Sequence, residues 1–236
     1  MDFLNKLPGV INPKSRLNFK LRLKWTVFVL ILFFMMGETP LYGVADQTYE
    51  YFKNISVLLG SEFGTLGTLG IGPIVTASIL LQVLVGSKIL SWDLNTREGR
   101  ARFQGTQKIV AIIFCFLEGF AFVMFGAVGA TSAALVPVVA LQIALGGLLI
   151  LFLDEVSTKW GLGPGVSLFI AAGVSKTIFV RLFSPLEMGE PYVGAIPSLL
   201  ANLSIGNIAL VVFFLTAILA TIAIFALSLF AQSIKV

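Results

Sequence analysis

Six long apolar stretches alternate with short segments that hold most of the charged residues, and this alternation is the strongest constraint on the fold. A helix needs about 20 mainly apolar residues to cross the hydrocarbon core of a bilayer, and the stretches approach or exceed that length. We therefore predict an all-α membrane protein with about six transmembrane helices. The stretches are residues 25–44, 73–90, 109–130, 135–153, 166–180 and 208–230.

The composition agrees with a membrane protein. Hydrophobic residues make up 57% of the chain and charged residues only 12%, against roughly 25% charged residues in an average soluble domain. Lys and Arg outnumber Asp and Glu by 16 to 12, but the excess clusters beside the apolar stretches and forms no basic face with interleaved aromatic residues. A soluble fold and nucleic-acid binding are both disfavoured.

The residue types that most enzymes need are scarce. The chain has no histidine and a single cysteine, which removes the commonest metal ligand, the usual proton shuttle and Ser-His chemistry. Cys115 lies in an apolar run, where it is a small hydrophobic side chain that can form neither an intramolecular disulfide nor a metal cluster. An intramembrane protease that uses paired Asp residues is also excluded, because no Asp lies inside an apolar stretch away from its end. We expect no catalytic residues, no cofactor and no metal.

The distribution of Lys and Arg predicts the orientation in the membrane, since cytoplasmic loops carry an excess of these residues. Thirteen of the 16 Lys and Arg residues fall on one side if the chain crosses six times. That side holds the basic amphipathic arm at 1–24, the loop at 88–108 and both ends of the chain. We predict a multi-pass protein of the cell membrane with both ends of this segment in the cytoplasm. Because the chain stops directly after the sixth stretch, we also expect it to be part of a longer protein.

The segment 60–73 reads GSEFGTLGTLGIGP and is rich in glycine. It is apolar enough for membrane depth but too short to cross, and backbone of this kind is tolerated in a membrane only when it is buried in protein or lines an aqueous cavity. A flexible external loop is the alternative. Leu66, Leu69 and Ile71 argue against that alternative, because a solvated loop has little use for them.

Polar residues inside the apolar stretches are the other candidates for function. Glu118 lies in the middle of the third stretch, where an ionisable residue is costly and marks either a pathway or a polar contact between helices. A protonated, hydrogen-bonded structural Glu is the alternative. Thr76 carries less information, since Thr can bond a preceding carbonyl of its own helix.

The sequence WGLGPGVSLF at 160–169 predicts a tight turn into a helix, because Pro is favoured in a first helical turn. Just before it, Asp154 and Glu155 close the fourth stretch. They could be mistaken for a catalytic acid pair, but Lys159 follows Glu155 by four residues. We therefore interpret them as a solvated turn with an ion pair.

Four motifs resemble the SecY family, and its archaeal members most closely. They lie at residues 68–87, 103–108, 115–119 and 153–175 and read TLGIGPIVTASILLQVLVGS, FQGTQK, CFLEG and LDEVSTKWGLGPGVSLFIAAGVS. With the order of the apolar stretches, the resemblance covers most of residues 20–236. Chance similarity between apolar helices would not reproduce the polar residues within these motifs.

The resemblance implies a passive channel that moves polypeptides across or into the membrane, with ten helices in two halves related by an inverted repeat. Residues 25–180 would form the first repeat, with helices one to five, and 181–236 an external loop and the sixth helix. Residues 56–70 resemble the plug, a half-helix that seals the resting channel. The plug positions within it are Phe63, Gly64, Thr65, Leu66, Gly67, Thr68, Leu69 and Gly70.

The resemblance also implies roles for apolar and polar side chains near the plug. Ile71 and Val75 match members of an apolar pore ring, as do Val166 and Ile170, and each pair lies four residues apart on one helix face. Thr76 and Glu118 match polar positions of the lateral gate, through which signal sequences and membrane segments leave. Pro164 departs from the family, whose members usually carry a small polar residue there.

The partners implied by the resemblance are small membrane subunits of the SecE type and of the Sec-beta or SecG type. A ribosome or another motor would drive translocation, and the channel would contact the translocating polypeptide, its signal sequence, the lipid bilayer and the C-terminal half of SecY. The alternative from another class is half of an inverted-repeat secondary transporter. The substrate site of such a transporter needs coordinating groups on its broken helices. Ile71 and Val75, at the junction between the glycine-rich segment and the second apolar stretch, are apolar.

Overall fold

The structure, a computed structural model, describes residues 9–13, 15, 17–45, 64–185, 192 and 194–233. These residues are mainly helical and contain no strand, only the isolated bridges Pro40–Thr65 and Val44–Ala130. The predicted all-α class is confirmed. The α-helices are α1 (Phe19–Glu38), α2 (Gly72–Gly86), α3 (Arg97–Met124), α4 (Val136–Trp160), α5 (Gly165–Phe183), α6 (Ala195–Ile205) and α7 (Ile208–Ser233).

Four helices among the described residues are long and apolar enough to cross a membrane, namely α3, α4, α5 and α7. Helix α2 has only 15 residues. Helix α1 has 20 residues but carries Lys20, Arg22 and Lys24 in its first two turns. The membrane class is therefore confirmed, while the number of six spans stays a prediction.

Helix ends follow local hydrogen bonding and backbone chemistry, so several of them differ from the ends of the apolar stretches. Helix α1 ends at Glu38 instead of continuing to residue 44, because Pro40 has no N–H to continue it. Helix α3 begins at Arg97, well before residue 109, because the Oγ1 of Thr96 accepts a hydrogen bond from Gly99 N at 3.0 Å and caps the helix. Apolarity predicted the membrane part of each helix and missed its polar extension.

The chain divides into two compact units, and the boundary lies within α5 after Ala172. In the first unit, the helices pack around two buried clusters. The first cluster consists of Val29, Phe33, Met36, Ile74, Ala77, Ala111, Ile150, Leu151 and Phe169. The second cluster consists of Leu41, Leu69, Val123, Val128, Val139, Ala140 and Ile143.

The connection between α4 and α5 is fixed by side chains that bond its backbone. Ser157 Oγ donates to the carbonyl of Gly163 at 3.0 Å, and Leu162 N donates to Thr26 Oγ1 at 3.0 Å. Pro164 lies directly before the first residue of α5. The tight turn into a helix predicted for 160–169 is confirmed.

Asp154 caps the start of α5. Its Oδ1 accepts a hydrogen bond from Val166 N at 2.8 Å, so an acidic side chain satisfies an amide that the helix leaves free and lies at the positive end of the helix dipole. Asp154 and Glu155 therefore lie in α4 and are partly buried. Their interpretation as a solvated turn is wrong.

In the second unit, whose described part begins at Gly173, a short helix that the sequence did not predict precedes a long one. Ser198 Oγ donates to the carbonyl of Tyr192 at 2.7 Å, and Asn202 Nδ2 donates to the carbonyl of Ser198 at 2.8 Å. Helix α6 ends at Gly206, whose φ of +78° favours glycine. No residue of α7 is buried in the described structure, so its apolar surface requires lipid or another protein segment.

Replacing Gly165 with Ala should destabilise the first unit. A Cβ at this position would lie 2.5 Å from the Cα of Asp154, so α4 and α5 must separate or the cap must be lost, at a cost of about 1–3 kcal/mol. Thermal unfolding in detergent measures the loss. Gly163→Ala in the same turn is the control, because a Cβ there meets no atom within 4 Å. Equal stability of the two variants would contradict this account.

Candidate functional site

Residues 64–71, which we call the turn segment, precede α2 as a run of hydrogen-bonded turns. Its backbone is joined to the end of α1, where Leu66 N donates to the carbonyl of Thr39 at 3.0 Å and Gly67 N donates to the carbonyl of Met36 at 3.2 Å. Within the segment, Gly70 N donates to the carbonyl of Gly67 at 2.8 Å. These bonds satisfy backbone groups without a helix, as irregular backbone at membrane depth requires.

The turn segment is packed against protein. Gly64, Gly67 and Leu69 are buried, and Leu66 packs against both clusters. The predicted burial is confirmed for these residues, and the alternative of a solvated loop is wrong for them. Residues 64–70 form turns and no α-helix. Phe63 and the rest of 56–63 lie outside the described residues, and the half-helix stays a prediction.

The start of α2 positions Ile71 and Val75. The carbonyl of Ile71 accepts hydrogen bonds from Ile74 N and Val75 N, both at 3.1 Å. Pro73 lies in the first turn of the helix and is buried together with Ile74. Ile71 packs against the first cluster, and Val75 is partly buried.

The start of α5 brings Val166 to the same cluster. The Phe169 ring stacks on the Phe33 ring with centroids 4.6 Å apart, which fixes the rotation of α5 against α1. Val166 packs against the first cluster, whereas the Ile170 side chain is 50% exposed. The structure thus places Ile71 and Val166 against one cluster, and the pore-ring role of all four residues stays a prediction.

Glu118 lies against the first residue of α2. A Cβ at Gly72 would be 3.4 Å from Oε2 of Glu118, and the Glu118 side chain is partly buried. The described part of the chain gives this carboxylate no hydrogen-bond partner. Thr76 follows Gly72 by four residues on the same face of α2 and is exposed. Both predicted gate residues therefore lie near the contact of α2 with α3, and no hydrogen bond joins them.

An ionic cluster at the polar ends of α3 and α4 was only half predicted. Glu155 accepts from Lys159 Nζ at 2.7 Å, as the spacing indicated, but it also accepts from Lys108 Nζ at 2.7 Å. The Glu155 side chain is only 19% exposed and that of Lys108 16%. The cluster therefore joins two helices. Lys108 ends the FQGTQK motif, and no local pattern could have predicted its contact 47 residues away.

The basic arm meets the same end of α4. Trp160 Nε1 donates to the carbonyl of Ile11 at 2.9 Å, and Lys159 Nζ donates to the carbonyl of Val10. The Trp160 ring also packs on Trp25, with centroids 5.5 Å apart. These contacts fix residues 10–11 beside the ionic cluster.

Comparison with known protein families gives two matches that together cover residues 31–236. The SecY model matches residues 65–236, and the model described as the plug domain of Sec61p matches residues 31–64. The second match overlaps the segment 56–70, for which the resemblance to the family implies a plug.

Individual relatives agree with the family matches. The chain is 44% identical over 234 residues to protein translocase subunit SecY of Methanothermobacter thermautotrophicus, covering 98% of this chain and 51% of the relative. It is 42% identical to the same subunit of Methanocaldococcus jannaschii, covering 100% of this chain and 52% of the relative. The chain therefore spans about half the length of the curated relatives it matches.

Solved structures with similar folds are protein-conducting channels. One, which concerns the plug domain of the SecY protein and the closed state of its channel, matches with a TM-score of 0.83 and 40% identity over 99% of this chain and 52% of that one. Sec61 in a canine ribosome-channel complex from the endoplasmic reticulum matches with a TM-score of 0.82 and 39% identity, over 99% of this chain and 52% of that one.

Replacing Glu155 with Gln should loosen the contact between α3 and α4. The change leaves two partly buried lysines without their shared carboxylate and should lower the free energy of unfolding by about 2 kcal/mol. Denaturation in detergent measures the effect. Glu98→Gln is the matched control, because Glu98 and Arg102 form an exposed pair that contributes at most about 1 kcal/mol. Equal losses in both variants would show that the buried cluster has no special role.

Proposed function

The chain belongs to the SecY family, and on this premise we propose that it forms the N-terminal half of a channel that conducts polypeptides across the membrane and into it. The observation that carries the proposal is the turn segment, which is packed against protein directly before α2 and ends at Ile71. A plug and an apolar constriction require these two features side by side.

We propose that Ile71, Val75, Val166 and Ile170 contribute to the pore ring. Short aliphatic side chains pack around a varied polypeptide through dispersion and offer no fixed hydrogen bonds that would select among sequences. A narrow apolar constriction also resists water and ions by dewetting. The packing of Ile71 and Val166 against one cluster supports this assignment.

We propose that residues 56–70 act as the plug and that Thr76 and Glu118 belong to the lateral gate. The burial of Leu69 and the contact of Leu66 with both clusters support a seal that rests on protein. Thr76 is exposed, and the Glu118 carboxylate has no hydrogen-bond partner among the described residues. Both observations support the proposal that these two groups are available to a passing hydrophobic segment or to the other half of the channel.

The orientation follows from the charge distribution, and we propose that both ends of this segment face the cytoplasm of a cell-membrane protein. The small membrane subunits, the ribosome or another motor, the polypeptide with its signal sequence, the lipid bilayer and the C-terminal half of SecY are the proposed partners. One similar structure is a ribosome-channel complex, which supports the ribosome among them.

We propose no enzymatic role, because the relatives are translocation channels and the chain has no histidine. The alternative of a secondary transporter has no support among the family matches. The side chains of Ile71 and Val75 at the start of α2 are also apolar and cannot coordinate a transported ion.

Replacing Ile71 and Val166 with Ser in the complete channel tests the proposed function. Polar side chains would hold water in the constriction, so the resting ion leak across vesicles should rise while polypeptides still pass. Leu149→Ser is the control, because Leu149 is 48% exposed and lies on α4, which carries none of the proposed ring or gate residues. An unchanged leak in the double variant would remove the pore assignment.

Replacing Glu118 with Leu should change which hydrophobic segments leave the channel into lipid, while the fold stays intact. The apparent insertion free energy of a graded series of signal sequences should shift by about 1–3 kcal/mol, because a charged or polar group at membrane depth is replaced by an apolar one. Glu118→Gln keeps the size and the hydrogen-bonding capacity of the side chain, so it should shift the apparent insertion free energy less. Identical insertion thresholds for wild type and Glu118→Leu would refute the gate role.

A further inference from the structure

Two adjacent glycines of α4, Gly146 and Gly147, face the turn segment. A Cβ at Gly146 would lie 2.0 Å from the carbonyl oxygen of Leu66 and 3.0 Å from its carbonyl carbon. Both atoms belong to the backbone, which cannot rotate away as a side chain can. Only glycine at this position lets the turn segment lie directly on α4.

Gly147 meets side chains instead of backbone. A Cβ there would lie 3.0 Å from Cys115 Sγ and 3.1 Å from Leu69 Cδ1. The ends of these two side chains can shift by a few tenths of an ångström through small torsional changes. The neighbouring glycines therefore differ in one respect, namely whether an added methyl group meets backbone or side-chain ends.

The turn segment has little freedom to move away from α4. On its other side, Leu66 N donates to the carbonyl of Thr39 and Gly67 N to that of Met36. A methyl group at Gly146 would push the Leu66 carbonyl away from α4 and strain these bonds. The displacement would reach α2, because Gly72 N donates to the carbonyl of Leu69 at 3.1 Å.

We propose that Gly146 is a positioning residue that holds the turn segment in its resting place, so that replacing it shifts the channel towards the unsealed state. The proposal rests on the proposed function, in which this segment belongs to the plug. In this proposal, α4 makes the contact that holds the plug in its resting place, although α4 carries none of the proposed pore-ring or gate residues.

The test compares Gly146→Ala with Gly147→Ala in the complete channel, reconstituted in lipid vesicles. Both replacements favour the helix equally. Cys115 is the only cysteine of this chain and is 0% exposed, and its Sγ lies close to the turn segment, because a Cβ at Gly147 would be 3.0 Å from this Sγ and 3.1 Å from Leu69 Cδ1. Its reaction with a water-soluble methanethiosulfonate, measured on the Cys115 peptide by mass spectrometry, therefore reports displacement of the segment.

We expect Cys115 in Gly146→Ala to react about tenfold faster than in wild type, which corresponds to a change of about 1.4 kcal/mol in a local opening equilibrium. The resting ion leak should rise with it. In Gly147→Ala, both quantities should stay within about twofold of wild type, because side-chain ends absorb the added methyl group. Wild-type labelling and leak in Gly146→Ala, or equal increases in both variants, would overturn the proposal.

A second variant keeps the test decisive if Gly146→Ala does not accumulate. Leu66→Ala leaves α4 unchanged and removes the side chain that packs against both clusters, so it should also raise Cys115 labelling. Unchanged labelling in Leu66→Ala would then overturn the seating role. Faster labelling of Gly146→Ala without any rise in ion leak would support the seating contact and count against the proposed plug role, so the two failures are distinguishable.

Discussion

Hydrogen bonding of non-helical backbone is the constraint on which the rest of the first unit depends. The turn segment is packed against protein and forms no α-helix, so its N–H groups need acceptors elsewhere in the chain. The end of α1 supplies them, because the last carbonyls of a helix have no partner within it. The carbonyl of Thr39 accepts from Leu66 N, and the carbonyl of Met36 accepts from Gly67 N as well as from Thr39 N, so the end of α1 holds two amides of the turn segment.

Polar contacts at the helix ends set the register of the apolar helices. Apolar surfaces in lipid gain little by facing each other, and side chains such as Val and Leu allow many alignments. Glu155 joins Lys108 of α3 to α4, and Asp154 bonds the first turn of α5. These few contacts fix the positions of α3, α4 and α5 along their axes relative to one another. They thereby determine that Val166 meets the cluster that also contacts Ile71.

The sequence predicts the parts of the fold that depend on local composition. The apolar stretches predict the membrane class and the centres of the long helices. The glycine-rich run before Pro73 predicts a buried, irregular segment. The start of α3 at Arg97 could not be read from apolarity, because that part of the helix is polar. Helix α6 was missed because its 11 residues are too few for a span.

The candidate site depends on contacts that no local pattern contains. Helical spacing places Ile71 with Val75 and Val166 with Ile170, but it cannot bring α2 and α5 to one cluster. The resemblance to a family supplied that expectation from outside the pattern. The contact of Lys108 with Glu155 and the seating of Leu66 on Gly146 are of the same kind, since tertiary packing alone creates them.

Burial distinguishes the residues that hold α2 and α5 in place from the exposed residues beside them. Phe169 and Ile74 are almost fully buried, so a smaller side chain there leaves a cavity and lowers stability before any effect on transport can be seen. Ile170 and Thr76 lie one residue after Phe169 and two after Ile74, yet both are exposed. Neighbouring positions on one helix thus differ in what a substitution changes, because only the buried side chain contributes to the core. The first cluster fixes α2 and α5, and Ile71 and Val166 pack at its edge, so a substitution at either of them would alter both the packing and the proposed pore ring. At Ile170 and Thr76, which are exposed, the proposed roles can be tested with less effect on the packing.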